Sequence, residues 1–300
     1  MERKGVAKIE FKRNENKKCE NGCLKDHNNS CKFLIPDLDT CYYEYPIKIM
    51  LPSSISETCC QWIFPVIYGG GLVEGDNVNI SLKIGHKCSI TMSTMSFPKV
   101  YCCENGKDSQ LNGEYFLDSE ALLCVLPDPL VCFKNASYNQ CQSFHLASDA
   151  NLVLLDWFTS GRYMRGERWA FSKLKNISAI FIDDKLQFRE SQNIQNTPFL
   201  NIEKTMKAYN IIGTCMIMGP HLEFLYSSIL CQLEKCKAYG EKANADLLFS
   251  VSPLHLSNAS KYFGCIVRFA AVSVPEAIKK IEDLLQPLFT VIGANPFANK

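Results

Sequence analysis

No stretch of this 300-residue chain reaches the roughly 18 consecutive apolar residues that a membrane-spanning helix requires. Met1 to Lys18 carries Arg3, Lys4, Lys8, Lys12, Arg13 and Lys17 and lacks the apolar centre of a signal peptide. The expectation is therefore a soluble, cytoplasmic protein without a membrane partner. Net charge is nearly absent as well. Thirty-two basic residues against 31 acidic ones leave +1, so no overall field draws the chain to phosphate backbones, and nucleic acid is not expected as a partner. Histidine is sparse: His27, His86, His145, His221 and His255 are scattered, and none sits in a Gly-x-Ser-x-Gly or His-Glu-x-x-His context. The sequence offers no local signature of a catalytic centre.

What is present fits a folded globular chain, with 47% hydrophobic and 21% charged residues, enough to bury a substantial core. Sixteen cysteines are many, yet too few for a small disulfide scaffold. In a reducing compartment most are expected to be buried thiols. Cys59-Cys60 and Cys102-Cys103 are adjacent pairs, and neighbours in a strand point to opposite faces, so one member of each is expected inside. Five Asn-x-Ser sequons, at Asn28, Asn79, Asn135, Asn176 and Asn258, read as by-products of composition in a chain without a secretion signal.

The hydrophobic pattern predicts short strands over residues 45–51, 62–68, 77–84, 89–94, 122–126 and 151–158. Their spacing suggests antiparallel sheets. Val78, Ile80, Leu82 and Ile84 alternate with Asn79, Ser81 and Lys83, which predicts one buried and one wet face. From Pro220 to Gly240 the period lengthens to three or four residues, predicting a helix along Leu222, Leu225, Tyr226, Ile229, Leu233 and Cys236. A second helix is predicted from Pro275 to Val291, kinked or ended by Pro287. Residues 246–252 and 263–272 read as strands between them. No tandem repeat is visible.

Four stretches could carry chemistry. Gly69 to Asp76 sets four glycines and two acids between strands, but it lacks a Gly-Lys-Ser/Thr ending and a following helix, so a structural turn is the better reading than a phosphate loop. Pro127-Asp128-Pro129 follows an apolar strand. Asp156-Trp157-Phe158-Thr159-Ser160-Gly161-Arg162 ends another, with Gly166-Glu167-Arg168 just beyond. Asp156, Arg162, Glu167 and Arg168 could form a charged network or ordinary surface ion pairs. Last, Cys19, Cys23, His27 and Cys31 recur every four residues. On one helix the first and last Cα would lie about 18 Å apart, too far for one ion, so only a loop could gather them around a soft divalent metal. A cysteine-rich zinc-binding module or a thiol-dependent enzyme is the alternative reading that these residues keep open.

Gly70-Gly71-Leu72-Val73-Glu74-Gly75-Asp76, Ser93 to Tyr101, Leu126-Pro127-Asp128-Pro129, and Asp156 to Arg162 with Gly166-Glu167 occur in the order of the signatures of the UreD (UreH) family of urease accessory proteins, and the chain resembles that family from Tyr45 to Ala271. The wording of the Asp156 to Arg162 stretch is closer to plant and other eukaryotic members than to bacterial ones. Met95 and Pro98 depart from the family's usual Gln and Thr, and Cys19 to Cys31 looks like an insertion.

The resemblance implies a mainly β protein: a right-handed β-helix-like stack of antiparallel sheets with two helices in its C-terminal region. It implies one UreD-like domain over 1–300, with a variable segment at 1–40, a β body at 41–212, and helices and closing strands at 213–300. It implies a non-enzymatic scaffold that binds UreF, which recruits the GTPase UreG, and that docks on apo-urease. No tightly bound cofactor is expected, only nickel in transit. A cation crosses a protein where polar ligands replace its water, and transit needs weak sites in series. Glu74, Asp76, Asp128 and Glu167 are the candidate channel acids within the matching motifs, and Lys99 and Arg162 are expected to pair with them or hold the loops. The two helices are expected to cover the β body and to offer part of their surface to UreF.

Overall fold

The structure, a computed structural model, describes residues 2–14, 32–52, 58–197, 199–235, 246–255 and 262–298. The strands begin with β1 (Lys4–Arg13), β2 (Pro36–Tyr43), β3 (Ile47–Met50) and β4 (Cys60–Ile67). A coiled run follows: β5 (Asn77–Ile84), β6 (Ser89–Ser93), β7 (Lys99–Val100), β8 (Ser109–Leu117), β9 (Leu122–Leu126), β10 (Val131–Cys132), β11 (Ser137–Leu146), β12 (Asn151–Thr159) and β13 (Lys173–Ile182). It is closed by β14 (Lys185–Gln195), α1 (Ile202–Met206), β15 (Ile211–Met218), α2 (Glu223–Lys235), β16 (Leu247–His255), β17 (Tyr262–Ala271) and α3 (Val274–Ile292).

The expected β-helix-like body is a β-solenoid of about four turns. One sheet runs β14-β13-β11-β8-β5-β1-β2 and the other β16-β17-β15-β12-β9-β6-β4-β3, while β7 and β10 form a narrow third face. The expected antiparallel pairing is corrected within the coils. β1, β5, β8, β11 and β13 are parallel neighbours, and so are β4, β6, β9 and β12. Each strand crosses to the opposite sheet instead of folding back as a hairpin, so it returns to its own sheet one coil later in the same direction. Antiparallel pairing is confined to the ends, at β1–β2, β3–β4, β13–β14 and β12–β15–β17–β16.

The coils also reveal a repeat hidden in the sequence. The corners Gly85 to Cys88, Asp118 to Ala121 and Ala147 to Ala150 each close with a hydrogen bond from the fourth N–H to the first carbonyl, at 3.0, 3.1 and 3.0 Å. Corner stacks on corner: Leu122 N–H donates to Cys88 O and Asn151 N–H to Ala121 O, at 2.9 and 2.8 Å. What recurs is a backbone shape, so side-chain similarity is slight.

The predicted alternation of β5 holds, with Val78, Ile80, Leu82 and Ile84 buried and Asn79 and Lys83 exposed. By contrast β6, β9 and β12 are buried on both faces. Their sequences are near-continuous apolar runs, as strands covered on both sides require. Even-numbered residues of β12 (Leu152, Leu154, Phe158) enter the solenoid core; odd-numbered ones (Val153, Leu155, Trp157) enter a second core beneath α2 and α3. α3 is N-capped by Ser273 and buries Ile281, Leu284, Leu285, Leu288, Val291 and Ile292. Each such side chain contributes about 1.5–3 kcal/mol by leaving water. That continuous buried stripe carries the helix through Pro287, where the sequence reading places a kink or an end. Both members of the Cys59-Cys60 pair are buried in the second core, against expectation, because Cys59 precedes β4 and is not bound by its alternation; Cys59 is disulfide-bonded. Cys102 is exposed and Cys103 half-buried.

Candidate functional site: a polar cavity inside the solenoid

A cavity of about 220 Å³ lies between the two large sheets, with Met95 and Ser96 at its exposed lip and Asp156, Tyr115 and Tyr138 at its buried end. Asp156 is the inward-facing acid of β12, opposite Thr214 of β15, and is only 6% exposed. The facing sheet supplies its partners. Gln140 and Gln142 of β11 each donate an amide N–H to Asp156 Oδ1 at 3.2 Å, and the Ser178 hydroxyl of β13 donates to Oδ2 at 2.8 Å. Parallel register sets Gln140 beside Asn176 and Gln142 beside Ser178, which makes two polar rungs in an otherwise apolar interior. Gly113 sits on the Gln142 rung because a Cβ there would lie 2.6 Å from the Tyr115 ring.

Burial pushes the Asp156 carboxyl up, against the downward pull of Ser178, Asn176, Gln142 and Gln140. Burial, then the charge of Asp156, pushes the Tyr115 phenol up too. Asp156 forms no ion pair among the described residues, so the network with Arg162, Glu167 and Arg168 is not formed around it. Asn176 is 6% exposed, lines the same cavity, and its Oδ1 has no hydrogen-bond partner among the described residues. A carboxylate ringed by neutral amides and a hydroxyl has fewer charged ligands than a tight cation site requires.

The motif acids are distributed differently from the expectation of a shared channel. Asp128 lines the cavity beside its lip; the Thr94 hydroxyl donates to its Oδ2 at 2.9 Å, and its N–H donates back to Thr94 Oγ1 at 2.7 Å. Lys99 also lines the cavity and makes no ion pair among the described residues. The other three acids lie outside the cavity wall. Asp76, fully buried, is held by the Arg3 guanidinium and by Val73 N–H at 2.8 Å, pinning β1 to the Gly69–Asp76 turn. Glu74 accepts the N–H groups of Glu104, Asn105 and Lys107 and so shapes that loop, and these bonds draw its pKa down. Glu167 is clamped by Arg162, whose guanidinium stacks 4.0 Å over the Phe133 ring. Arg162 thus holds a loop.

Cys19, Cys23, His27 and Cys31 lie outside the described residues. Among the described residues no three His, Cys, Asp or Glu side chains converge as a metal site. Sequence reasoning missed the ring of Gln140, Gln142, Asn176 and Ser178, and placed Asp156 elsewhere. One signal was available: Asp156 is the single acid in Asn151–Thr159, a strand otherwise apolar enough to be buried on both faces. The Asn176 sequon is two inward-facing members of that ring, and burial closes it to glycosylation in the folded protein.

Fold and cavity together define a β-solenoid with a mostly apolar interior and a polar end to its cavity, and no described helix is long and apolar enough to cross a membrane. Comparison with known proteins gives the family. The UreD urease accessory protein profile matches residues 35–299. "Urease accessory protein D" of Arabidopsis thaliana is 32% identical over 276 residues, covering 86% of this chain and 94% of that protein. The protein of the same name from Oryza sativa subsp. indica is 30% identical over 273 residues, covering 86% and 89%. "Urease accessory protein 4" of Cryptococcus neoformans var. grubii is 28% identical over 283 residues, covering 83% and 85%. The chain belongs to the UreD urease accessory protein family, a family of accessory proteins rather than enzymes, and has a role in urease maturation.

Proposed function

We propose that this chain is a non-catalytic scaffold through which nickel reaches apo-urease, working in the cytoplasm with UreF and with the GTPase UreG that releases the metal. The observation that carries this reading is the cavity running from the exposed Met95–Ser96 lip to the buried, cation-free Asp156. A divalent ion entering there exchanges part of its water for carboxylate and amide oxygens. With two carboxylates, Asp128 and Asp156, and no thiolate or imidazole on the described wall, it can leave again. Asp128 and Lys99 set the charge near the entrance, while Asp76, Glu74 and the Arg162–Glu167 pair hold the loops around it. α2 and α3 use their apolar faces to cover the β body and leave their outer faces for UreF.

The test is complementation. A host lacking its own UreD is expected to regain urease activity when this chain is supplied, and the chain is expected to co-purify with UreF and UreG. A chain that stays monomeric with both partners present, and restores no activity, contradicts the proposal.

A further inference from the structure

We infer that the narrow third face of the solenoid carries a rigid docking ridge, from which Met164 and Tyr163 enter an apolar pocket rimmed by acids on a partner protein, and that this partner is apo-urease. The choice of partner rests on the scaffold reading above; the ridge is independent of the cavity.

The ridge is built coil by coil. Phe133 N–H, just after β10, donates to Val100 O of β7 at 3.0 Å, and Lys134 N–H donates to Glu167 Oε2 of the following coil at 3.1 Å. This stacking gathers three flat groups, one from each coil. The Tyr101 ring stands edge-on to the Phe133 ring with centroids 5.1 Å apart, and the Arg162 guanidinium lies over that same Phe133 ring. Beyond Arg162 the chain makes a single turn, Tyr163–Arg165, closed where Gly166 at φ +74° donates its N–H to Tyr163 O at 2.9 Å. Met164 at the tip is 94% exposed and Tyr163 58%.

One exposed methionine is ordinary on a soluble protein. This one stands on a loop fixed at both ends. Arg162 forks onto Glu167 across the turn, and Arg168 Nε donates to Asn210 Oδ1 at 2.7 Å. Trp169 is buried, with its N–H on Ser160 O at 2.6 Å and its indole N–H on Tyr209 O at 3.0 Å. Its φ of +52° is a left-handed conformation that strains a bulky residue and persists only where the surroundings over-determine it. Yet no residue of the Tyr163–Arg165 turn is buried, so packing within the chain does not account for so rigid a display. A loop held in one conformation has little ordering left to lose on binding. Met, Tyr and Arg are also the residue types enriched at interface centres.

Charge gives the partner's chemistry. Lys134 and Arg165 are exposed beside the tip and form no ion pair among the described residues, while the nearby Glu167 is neutralised by Arg162. An apolar tip flanked by two unpaired cations complements an apolar pocket with a carboxylate rim. α2 and α3 cover the second core on the outer side of the β16–β3 sheet, so the surface they leave to UreF is on another side of the solenoid. The ridge is thus open to the other large partner.

The test uses the full chain in complex with UreF and measures its binding to immobilised apo-urease at low and high salt. Met164→Asp should weaken binding about tenfold or more, and Met164→Leu should keep it. Lys134→Glu/Arg165→Glu should weaken it chiefly at low salt. All three variants should keep the native melting temperature and UreF affinity, because the positions are exposed. A Met164→Asp chain that binds apo-urease as the native chain does overturns the inference, and so does one that loses UreF instead. A native complex that does not bind apo-urease at all overturns the scaffold reading beneath it, and the partner assignment falls with it.

Discussion

The Ser178 hydroxyl donates to Asp156 Oδ2 at 2.8 Å and so ties β13 of one sheet to β12 of the other through the solenoid interior. Because burial raises the Asp156 pKa, its carboxylate forms at higher pH in the folded chain than in the unfolded one. The stability this adds is complete below the unfolded-state carboxylate pKa and is lost as pH rises through the raised folded value. Asp156→Asn removes that loss. The melting temperature of Asp156→Asn minus that of the native chain should grow more positive from acidic to neutral pH; a flat difference contradicts the assignment.

Gly113→Ala should destabilise the protein by about 2 kcal/mol, since its Cβ would lie 2.6 Å from the Tyr115 ring. The ring can yield only toward the cavity or the core. Denaturant titration checks the loss, and Gly113→Ala/Tyr115→Leu should recover part of it.

Asp76→Ala removes the only acid paired with the Arg3 guanidinium among the described residues, beside the β1–β5 pairing, and leaves it Tyr45. Breaking such a pair from one side costs about 3 kcal/mol. Limited proteolysis should then cut near β1 well before the core. Native-like resistance would show that the pair is dispensable.

On the helices, burial separates two outcomes. Leu285→Ala empties a site that is 1% exposed and should cost about 2–5 kcal/mol. Phe224, 38% exposed on α2, should tolerate Ser within about 0.5 kcal/mol. Paired denaturation curves decide it, and a large loss in Phe224→Ser would place that ring in the core.

Much of the fold was readable because two periods are visible along the chain. β5 announces its buried face by strict alternation, and α3 announces its own by Ile281, Leu284, Leu285 and Leu288. Strand direction was not readable, since alternation fixes which face is inward and is indifferent to whether the neighbour is parallel. The coil repeat was hidden because Gly85 to Cys88, Asp118 to Ala121 and Ala147 to Ala150 share hydrogen bonds rather than side chains. The site was half readable. Motif acids such as Asp76 and Glu167 are conspicuous in sequence but hold turns, whereas Gln140, Gln142, Asn176 and Ser178 become one ring only when β11 and β13 lie in register. Asp156 stood in view, yet its nearest charged neighbours in sequence pointed to a surface network that the strand's inward face forbids.

The central claim is that nickel passes by Asp156. The most direct measurement is the nickel content of apo-urease after incubation with UreF, nickel-loaded UreG, GTP and this chain, native against a folded Asp156→Leu variant. The account predicts near-stoichiometric nickel with the native chain and a severalfold drop with Asp156→Leu, although both assemble with UreF. Equal nickel transfer by the two would contradict it.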